Sequence, residues 1–268
     1  MPDYARFEFL KIEVADRIAT VTINRPERRN AMNRGLIDEI HTVWLDLASD
    51  PAVHVVLLTA AGSYFSVGGD VKAMSDRPGG DFLEEGEFPD PALARRMVHN
   101  ILAMDKPIVC AINGDAAGLG ATAALFCDVT VMNEAARIGD PHVRVGLVAG
   151  DGGAVIWPLL VGVSRAKELL MLGSMVKGAD AVRLGLVNHA VPAAEVLPRA
   201  QEIARQLAEG ATWAIRFTKA CVNKMLVQQV NLVLDASIAL EHVTFHTRDH
   251  AEATRAFAEK RKPVFEGR

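Results

Sequence analysis

The stretch A-I-N-G-D-A-A-G-L-G-A-T-A-A-L-F-C-D, residues 111–128, decides the fold. An apolar strand over 107–112 runs into Asn113-Gly114. A glycine-spaced turn, Gly118-Leu119-Gly120, then opens a nearly all-apolar helix. Glycine admits positive φ and lets another molecule come close to the backbone. The first N–H groups of a helix lack internal partners and sit at its positive end. This stretch can therefore present donors to an anion, or to an oxygen gaining negative charge.

A second stretch repeats the logic. S-Y-F-S-V-G-G-D-V-K-A-M (63–74) places Gly68-Gly69 after a strand and before a short helix, with Asp70 able to cap that helix. Two such N–H groups, if they converge, make an oxyanion hole. A dinucleotide reading is disfavoured. G-L-G-A-T-A satisfies only the loose form of the fingerprint, through Ala123. It lies in mid-chain, and the expected acid would be Glu134 or Asp140, away from a strand end.

Outward from these turns, 7–14 and 18–23 alternate as a hairpin, which Asn24-Arg25-Pro26 ends. Asn33 caps a helix with apolar residues from Leu36 to Leu47, and 53–58 is a buried strand. Residues 76–91, rich in Gly, Pro and acid, read as a mobile loop whose Phe82, Leu83 and Phe88 fold over a ligand, or as a solvated surface loop. A helix covers 92–104 and a strand 128–132. The segment 136–153 gathers Asp140, His142, Arg144 and Asp151 in a glycine-punctuated loop, before a helix bent or ended near Pro158. Helices to Leu172 and at 179–184 and a strand at 186–191 follow. Amphipathic helices at about 195–208, 212–228, 232–247 and 249–260 read as a packing or oligomerisation region. The chain is thus divided at 195 into an α/β core (1–195) and a C-terminal helical region (196–268).

The 268 residues are 50% apolar and 23% charged, with a formal net charge of -4. That composition belongs to a globular protein and carries no nucleic-acid footprint. Cys110, Cys127 and Cys221 sit in apolar contexts without a C-x-x-C, and read as buried free thiols in a reducing compartment. The N-terminus has no secretory apolar region, and the most apolar stretch is too broken to span a membrane. A cytoplasmic enzyme is the expectation. No Ser–His–Asp order and no metal-ligand spacing stand out, so no metal is expected.

The order of motifs resembles the crotonase (enoyl-CoA hydratase/isomerase) superfamily. The matching pieces are N-R-P-E-R-R-N-A-M (24–32), F-S-V-G-G-D-V-K-A-M (65–74), K-P-I-V-C-A-I-N-G-D-A-A-G-L-G (106–120), Cys127-Asp128, and A-F-A-E-K-R-K-P-V-F (256–265). The resemblance implies a spiral of β-β-α turns with a C-terminal helical region, assembled as a homotrimer or a dimer of trimers. It implies an acyl-CoA thioester as substrate and no cofactor beyond its CoA moiety. The family's oxyanion donors fall on the N–H groups of Gly69 and Leu119. Arg28, Val67, Gly69, Asp70 and Lys72 would lie along CoA. Phe257 and Lys260 would reach it from the tail, of this subunit or a neighbour.

The departures from the family pattern bear on mechanism. Hydratases of the family carry one glutamate where this chain has Thr122 and another where it has His142. Threonine is no general base near neutral pH. Asp151 and His142 are the candidate proton-transfer groups. The alternatives are that Asp151 caps the following helix and that His142 bonds a carbonyl or Asp140. The expected function is an acyl-CoA enzyme of the hydratase/isomerase class. Double-bond isomerisation, thioester hydrolysis or decarboxylation on the same intermediate stands beside it, as does a CoA-ester-binding protein without turnover. Tyr64 or Trp157 is expected to line the acyl site.

Overall fold

The structure, a computed structural model, describes residues 2–71 and 91–268, without the side chains of 91–94. Lys72 and nearly all of the 76–91 loop, with Phe82, Leu83 and Phe88, lie outside the described residues.

Two sheets carry the fold. The larger has strand order β1 (Leu10–Ala15), β2 (Ile18–Ile23), β3 (Val55–Ala60), β5 (Ile108–Ile112), β7 (Val129–Asn133) and β10 (His189–Val191). The smaller runs β4 (Tyr64–Ser66), β6 (Asp115–Ala117), β8 (Arg137–Gly139) and β9 (Met175–Lys177). Consecutive strands alternate between sheets: β3 then β4, β5 then β6, β7 then β8. Each pair of strands is followed by helix, which is the β-β-α turn of a spiral. The helices are α1 (Arg34–Ser49), α2 (Pro91–Ala103), α3 (Leu119–Leu125), α4 (Gly153–Val161), α5 (Val163–Leu172), α6 (Gly178–Arg183), α7 (Val196–Glu209), α8 (Thr212–Phe245) and α9 (Arg248–Ala258).

Local chemistry explains the main elements. β3 is buried at every position, hence its unbroken V-V-L-L-T-A run. Asn33 Oδ1 accepts the Leu36 N–H and starts α1, whose Leu36, Ile40, Val43, Trp44 and Leu47 face the core. On the other face of the larger sheet, Val196, Ala200, Ala204 and Ala208 of α7 pack on Val55, Leu57, Val109, Ala111 and Val131. Small alanines at that spacing let the helix lie close to the strands.

Three sequence expectations are corrected. The two helices expected at 212–228 and 232–247 are one, α8, because nothing between Thr212 and Phe245 breaks a helix: there is no Gly or Pro. Cys110 and Cys127 are buried, but Cys221 is exposed on α8. Trp157 is 0% exposed and belongs to the central core, so it faces no open acyl site. Tyr64 is half-buried, with the Arg29 guanidinium 5.2 Å from its ring centre.

α8 is tied to the core by polar anchors. Lys219 Nζ lies 2.7 Å from Asp128 and donates to the Lys106 carbonyl at 2.9 Å. Asn223 donates to the Leu102 carbonyl at 3.0 Å. Asp128 also accepts the Ile108 N–H, so the Cys127-Asp128 motif joins a sheet strand to the long helix. Among the described residues, no helix is long and apolar enough to cross a membrane.

Candidate active site

The two glycine turns abut. β4 and β6 are parallel neighbours, with Ser66 opposite Ala116, so the turns that follow them emerge at the same end of the smaller sheet. A Cβ on Gly120 would lie 2.5 Å from Ser66 Cβ, and one on Gly68 would lie 2.8 Å from the Ala117 carbonyl oxygen. Only glycine permits this approach. Gly68 donates to Ser66 Oγ at 3.2 Å and its carbonyl accepts the Met32 N–H at 2.8 Å. Among the described residues, no hydrogen bond uses the N–H of Gly69 or of Leu119, the first residue of α3.

The motif at 24–32 works as a clasp. Asn30 is 0% exposed and holds a left-handed backbone, φ 55°. Its amide donates to the carbonyls of Ala61 (2.9 Å) and Tyr64 (2.8 Å) and accepts the Arg25 N–H at 2.8 Å. Its own carbonyl accepts the Ser66 hydroxyl at 2.8 Å. One buried side chain thus fixes the strand that leads into the Gly68-Gly69 turn. Arg25 pairs with Asp70 at 2.9 Å, both largely shielded from solvent, and pins the other side of that turn. Val67 is half-buried beside it, and Arg28 is exposed in the turn Pro26–Arg28. Phe257 and Lys260 are exposed at the end of α9 and just beyond it, Phe257 at 59%.

Beside the Leu119 turn lies a cluster of four ionisable side chains. His142 opens a one-turn helix, and its ring comes 3.2 Å from where a Cβ on Gly118 would stand. Nδ1 is bonded to Asp140, which is fully buried. Nε2 faces two further carboxylates, Asp151 Oδ2 at 3.5 Å and Glu241 Oε1 at 3.8 Å. Asp151 Oδ1 accepts the Thr122 hydroxyl at 3.1 Å, and the Gly153 N–H at the start of α4 also supports this carboxylate. Both readings of His142 and of Asp151 thus meet in one geometry: His142 does bond Asp140, Asp151 does face a helix start, and the two still face each other.

Burial opposes the positive charge of His142, but Asp140, Asp151 and Glu241 outweigh it and hold its pKa well above the usual value. Burial pushes Asp151 up, against the pull of His142. Burial and the neighbouring Asp151 push Glu241 up to about 8. The cluster is therefore an imidazolium among carboxyls, with Glu241 holding a proton at neutral pH. Asp140, His142 and Asp151 bring one donor atom each within 4.8 Å of one another, a spacing open to a cation. Nδ1 of His142 is already committed to Asp140, which favours the ion-paired arrangement.

Glu241 is the residue that sequence reasoning missed. It projects from α8, nearly a hundred positions beyond His142, and looks like any charge on an amphipathic helix. It reaches the site because Gly150 leaves room: a Cβ there would lie 2.5 Å from Glu241 Cβ and 2.6 Å from its Oε2. Ser237, one turn earlier, donates to the Gly150 carbonyl at 2.8 Å and fixes the helix against the loop. A Gly at 150 facing an i, i+4 Ser–Glu pair was the available signal.

Comparisons with known proteins show what the whole chain resembles. The sequence model of the enoyl-CoA hydratase/isomerase family matches residues 13–268. The chain is 33% identical over 260 residues to crotonyl-CoA hydratase of Syntrophomonas wolfei, covering 97% of this chain and 98% of that one. It is 32% identical over 252 residues to short-chain-enoyl-CoA hydratase of Clostridium acetobutylicum, covering 94% and 95%. The crystal structure of an enoyl-CoA hydratase/isomerase from Pseudoalteromonas atlantica superposes with a TM-score of 0.85 at 29% identity, over 97% of this chain and all of that one. That of an enoyl-CoA hydratase from Mycobacterium avium subsp. paratuberculosis does so with a TM-score of 0.86 at 27% identity, over 97% and 99%. The β-β-α spiral, the paired glycine turns and these likenesses together identify the chain as a member of the enoyl-CoA hydratase/isomerase family, with the crotonase fold.

Proposed function

We propose that the chain processes an acyl-CoA thioester by stabilising its enolate. The N–H groups of Gly69 and Leu119 bind the thioester oxygen, and Asp151, with His142, moves the proton. The observation that carries this reading is the juxtaposition of two N–H groups, unengaged among the described residues, on abutting turns with a buried carboxyl–imidazole cluster. Donors set before charge develops lower the barrier most, because they need not reorganise. A carboxylate in a site shielded from water is the base that the enolate chemistry needs.

Arg28, Val67, Gly69, Asp70 and Lys72 are assigned to the CoA moiety, and Phe257 and Lys260 to CoA of this or a neighbouring subunit. The exposure of Phe257 and the apolar surface of α8, with Trp213, Phe217, Met225, Leu232 and Leu240 open to solvent, support a homotrimer or a dimer of trimers. No cofactor beyond CoA is required by this chemistry.

Double-bond isomerisation is the second reading. Thr122 and His142 stand where the hydratases' glutamates are expected, and a single carboxylate such as Asp151 suffices to shuttle a proton along an acyl chain. Crotonyl-CoA and a 3-enoyl-CoA, incubated with the protein in deuterated water and read by mass spectrometry, separate the two. Gain of the mass of water marks hydration, and deuterium exchange without it marks isomerisation or enolate formation alone. Absence of a thermal shift with CoA or any acyl-CoA would overturn the acyl-CoA reading.

A further inference from the structure

We infer that Glu241 is the second carboxyl of the proton-transfer machinery and works as an acid–base pair with Asp151 across the Nε2 edge of His142. The inference rests on the acyl-CoA reading above and assigns its reaction as reversible addition of water to a 2-enoyl thioester. Asp151 lies 3.5 Å and Glu241 3.8 Å from the same imidazole nitrogen. A single N–H cannot serve both, so the two carboxyls compete for one positive edge.

The competition is asymmetric. Asp151 also receives the Thr122 hydroxyl, which favours its ionised form. Among the described residues, no hydrogen-bond donor reaches the Glu241 carboxyl. The charged groups facing Glu241 are Asp151, His142 and Asp140, two of them negative. The geometry therefore casts Asp151 as the partner that ionises first, the base, and Glu241 as the partner that keeps its proton, the acid. Neighbouring carboxyls whose surroundings differ in this way divide into one acid and one base.

This division supplies what water addition needs. The Asp151 carboxylate takes a proton from water as the oxygen bonds to Cβ. The electron pair of the Cα=Cβ bond moves into the thioester as an enolate, held by the N–H groups of Gly69 and Leu119. The enolate then forms its Cα–H bond with the proton of Glu241. Asp151 ends protonated and Glu241 ionised, and one proton passing between them by way of His142 and solvent restores the start. The reverse reaction uses the same groups in exchanged roles.

The test compares wild-type protein with Glu241→Gln and Glu241→Asp. Butyryl-CoA, which has no double bond to hydrate, reports binding by calorimetry, and crotonyl-CoA reports turnover across pH. We expect Glu241→Gln to bind butyryl-CoA within about twofold of wild type while kcat for hydration falls roughly 10²-fold or more. The wild-type kcat should decline on the alkaline side as Glu241 ionises, and that decline should vanish in Glu241→Gln. Glu241→Asp should recover part of the rate, and its alkaline decline. An unchanged kcat with an unchanged alkaline limb in Glu241→Gln overturns the inference, as does wild-type protein that binds butyryl-CoA but adds no water to crotonyl-CoA. Failure of wild type to bind butyryl-CoA or CoA overturns instead the reading beneath it.

Discussion

Thr122 Oγ1 donates a hydrogen bond to Asp151 Oδ1 at 3.1 Å, from a fully buried position one turn inside α3. The hydroxyl therefore orients the Asp151 carboxyl. Thr122→Val keeps the shape and removes the donor. Asp151 then loses a group that favours its charged form, so the acid limb of the kcat/KM profile moves to higher pH. A hydrogen bond to a charged group contributes about 1.5–3 kcal/mol, which corresponds to roughly a tenfold loss or more of kcat/KM at neutral pH. Steady-state kinetics across pH checks both.

Removing the imidazole acts more broadly. His142→Gln takes away the one cation that, among the described residues, faces Asp140, Asp151 and Glu241. Asp140 is left buried without its partner, a loss of about 3–5 kcal/mol by analogy with broken buried pairs. Urea denaturation at neutral pH should show it. The same variant should need higher pH to ionise Asp151, and the kinetic acid limb should shift upward.

Glu241 also leaves a thermodynamic signature. Burial and the neighbouring Asp151 raise its pKa from the usual glutamate value of about 4.5 to about 8 on folding. Between those values the unfolded chain binds fewer protons at this site than the folded one. Its contribution to stability is therefore full below about pH 4.5 and is lost as pH rises towards about 8. Wild-type unfolding free energy should fall across this window relative to Glu241→Gln, whose amide does not titrate. Parallel urea titrations at about pH 5 and 8 measure the difference, and a constant difference would refute it.

The clasp at Asn30 predicts a loss of a different kind. Asn30→Ala strands the carbonyls of Ala61 and Tyr64 and the Arg25 N–H in a buried place. Each unsatisfied group costs about 1–3 kcal/mol, and partial relaxation leaves a net loss of roughly 2–4 kcal/mol. Because the same residue steadies the strand before Gly69, protein that still folds should bind CoA esters more weakly. Chemical denaturation and calorimetry separate the two effects.

Gly120→Ala addresses the contact between the turns. The added methyl would meet Ser66 Cβ at 2.5 Å and Oγ at 2.7 Å. Overpacking of this kind costs about 1–3 kcal/mol. The shift should fall on the two turns, so kcat should drop while the melting temperature drops only modestly.

The two glycine turns of this site were legible in the sequence because their chemistry is local. Gly68-Gly69 and Gly118-Leu119-Gly120 each announce a backbone that must bend and approach closely. The capped stripe of α1 and the unbroken apolar run of β3 were equally plain, since each satisfies a period or a burial rule within a few residues. The three-residue strands β4, β6, β8 and β9 were not, because no periodicity can be read from three positions. Asp70 was expected to cap a helix, and its visible ion pair with Arg25 depends on a loop 45 residues away. Glu241 was hidden for the same reason. Its role depends on the rotation of a helix about its axis and on a glycine in a distant loop.

That dependence has a mechanical consequence. α8 runs 34 residues without a break, a rod of roughly 50 Å at 1.5 Å per residue. Lys219 and Asn223 fasten one end of it, and Ser237 the other, so its register is set at both ends. One residue inserted between Asn223 and Ser237 would turn everything beyond it by about 100°, and would carry Glu241 out of the cluster without altering a single side chain of the site. The helix is, in effect, the spacer that indexes a carboxyl to the turn of α3, and it admits no change in its count of residues.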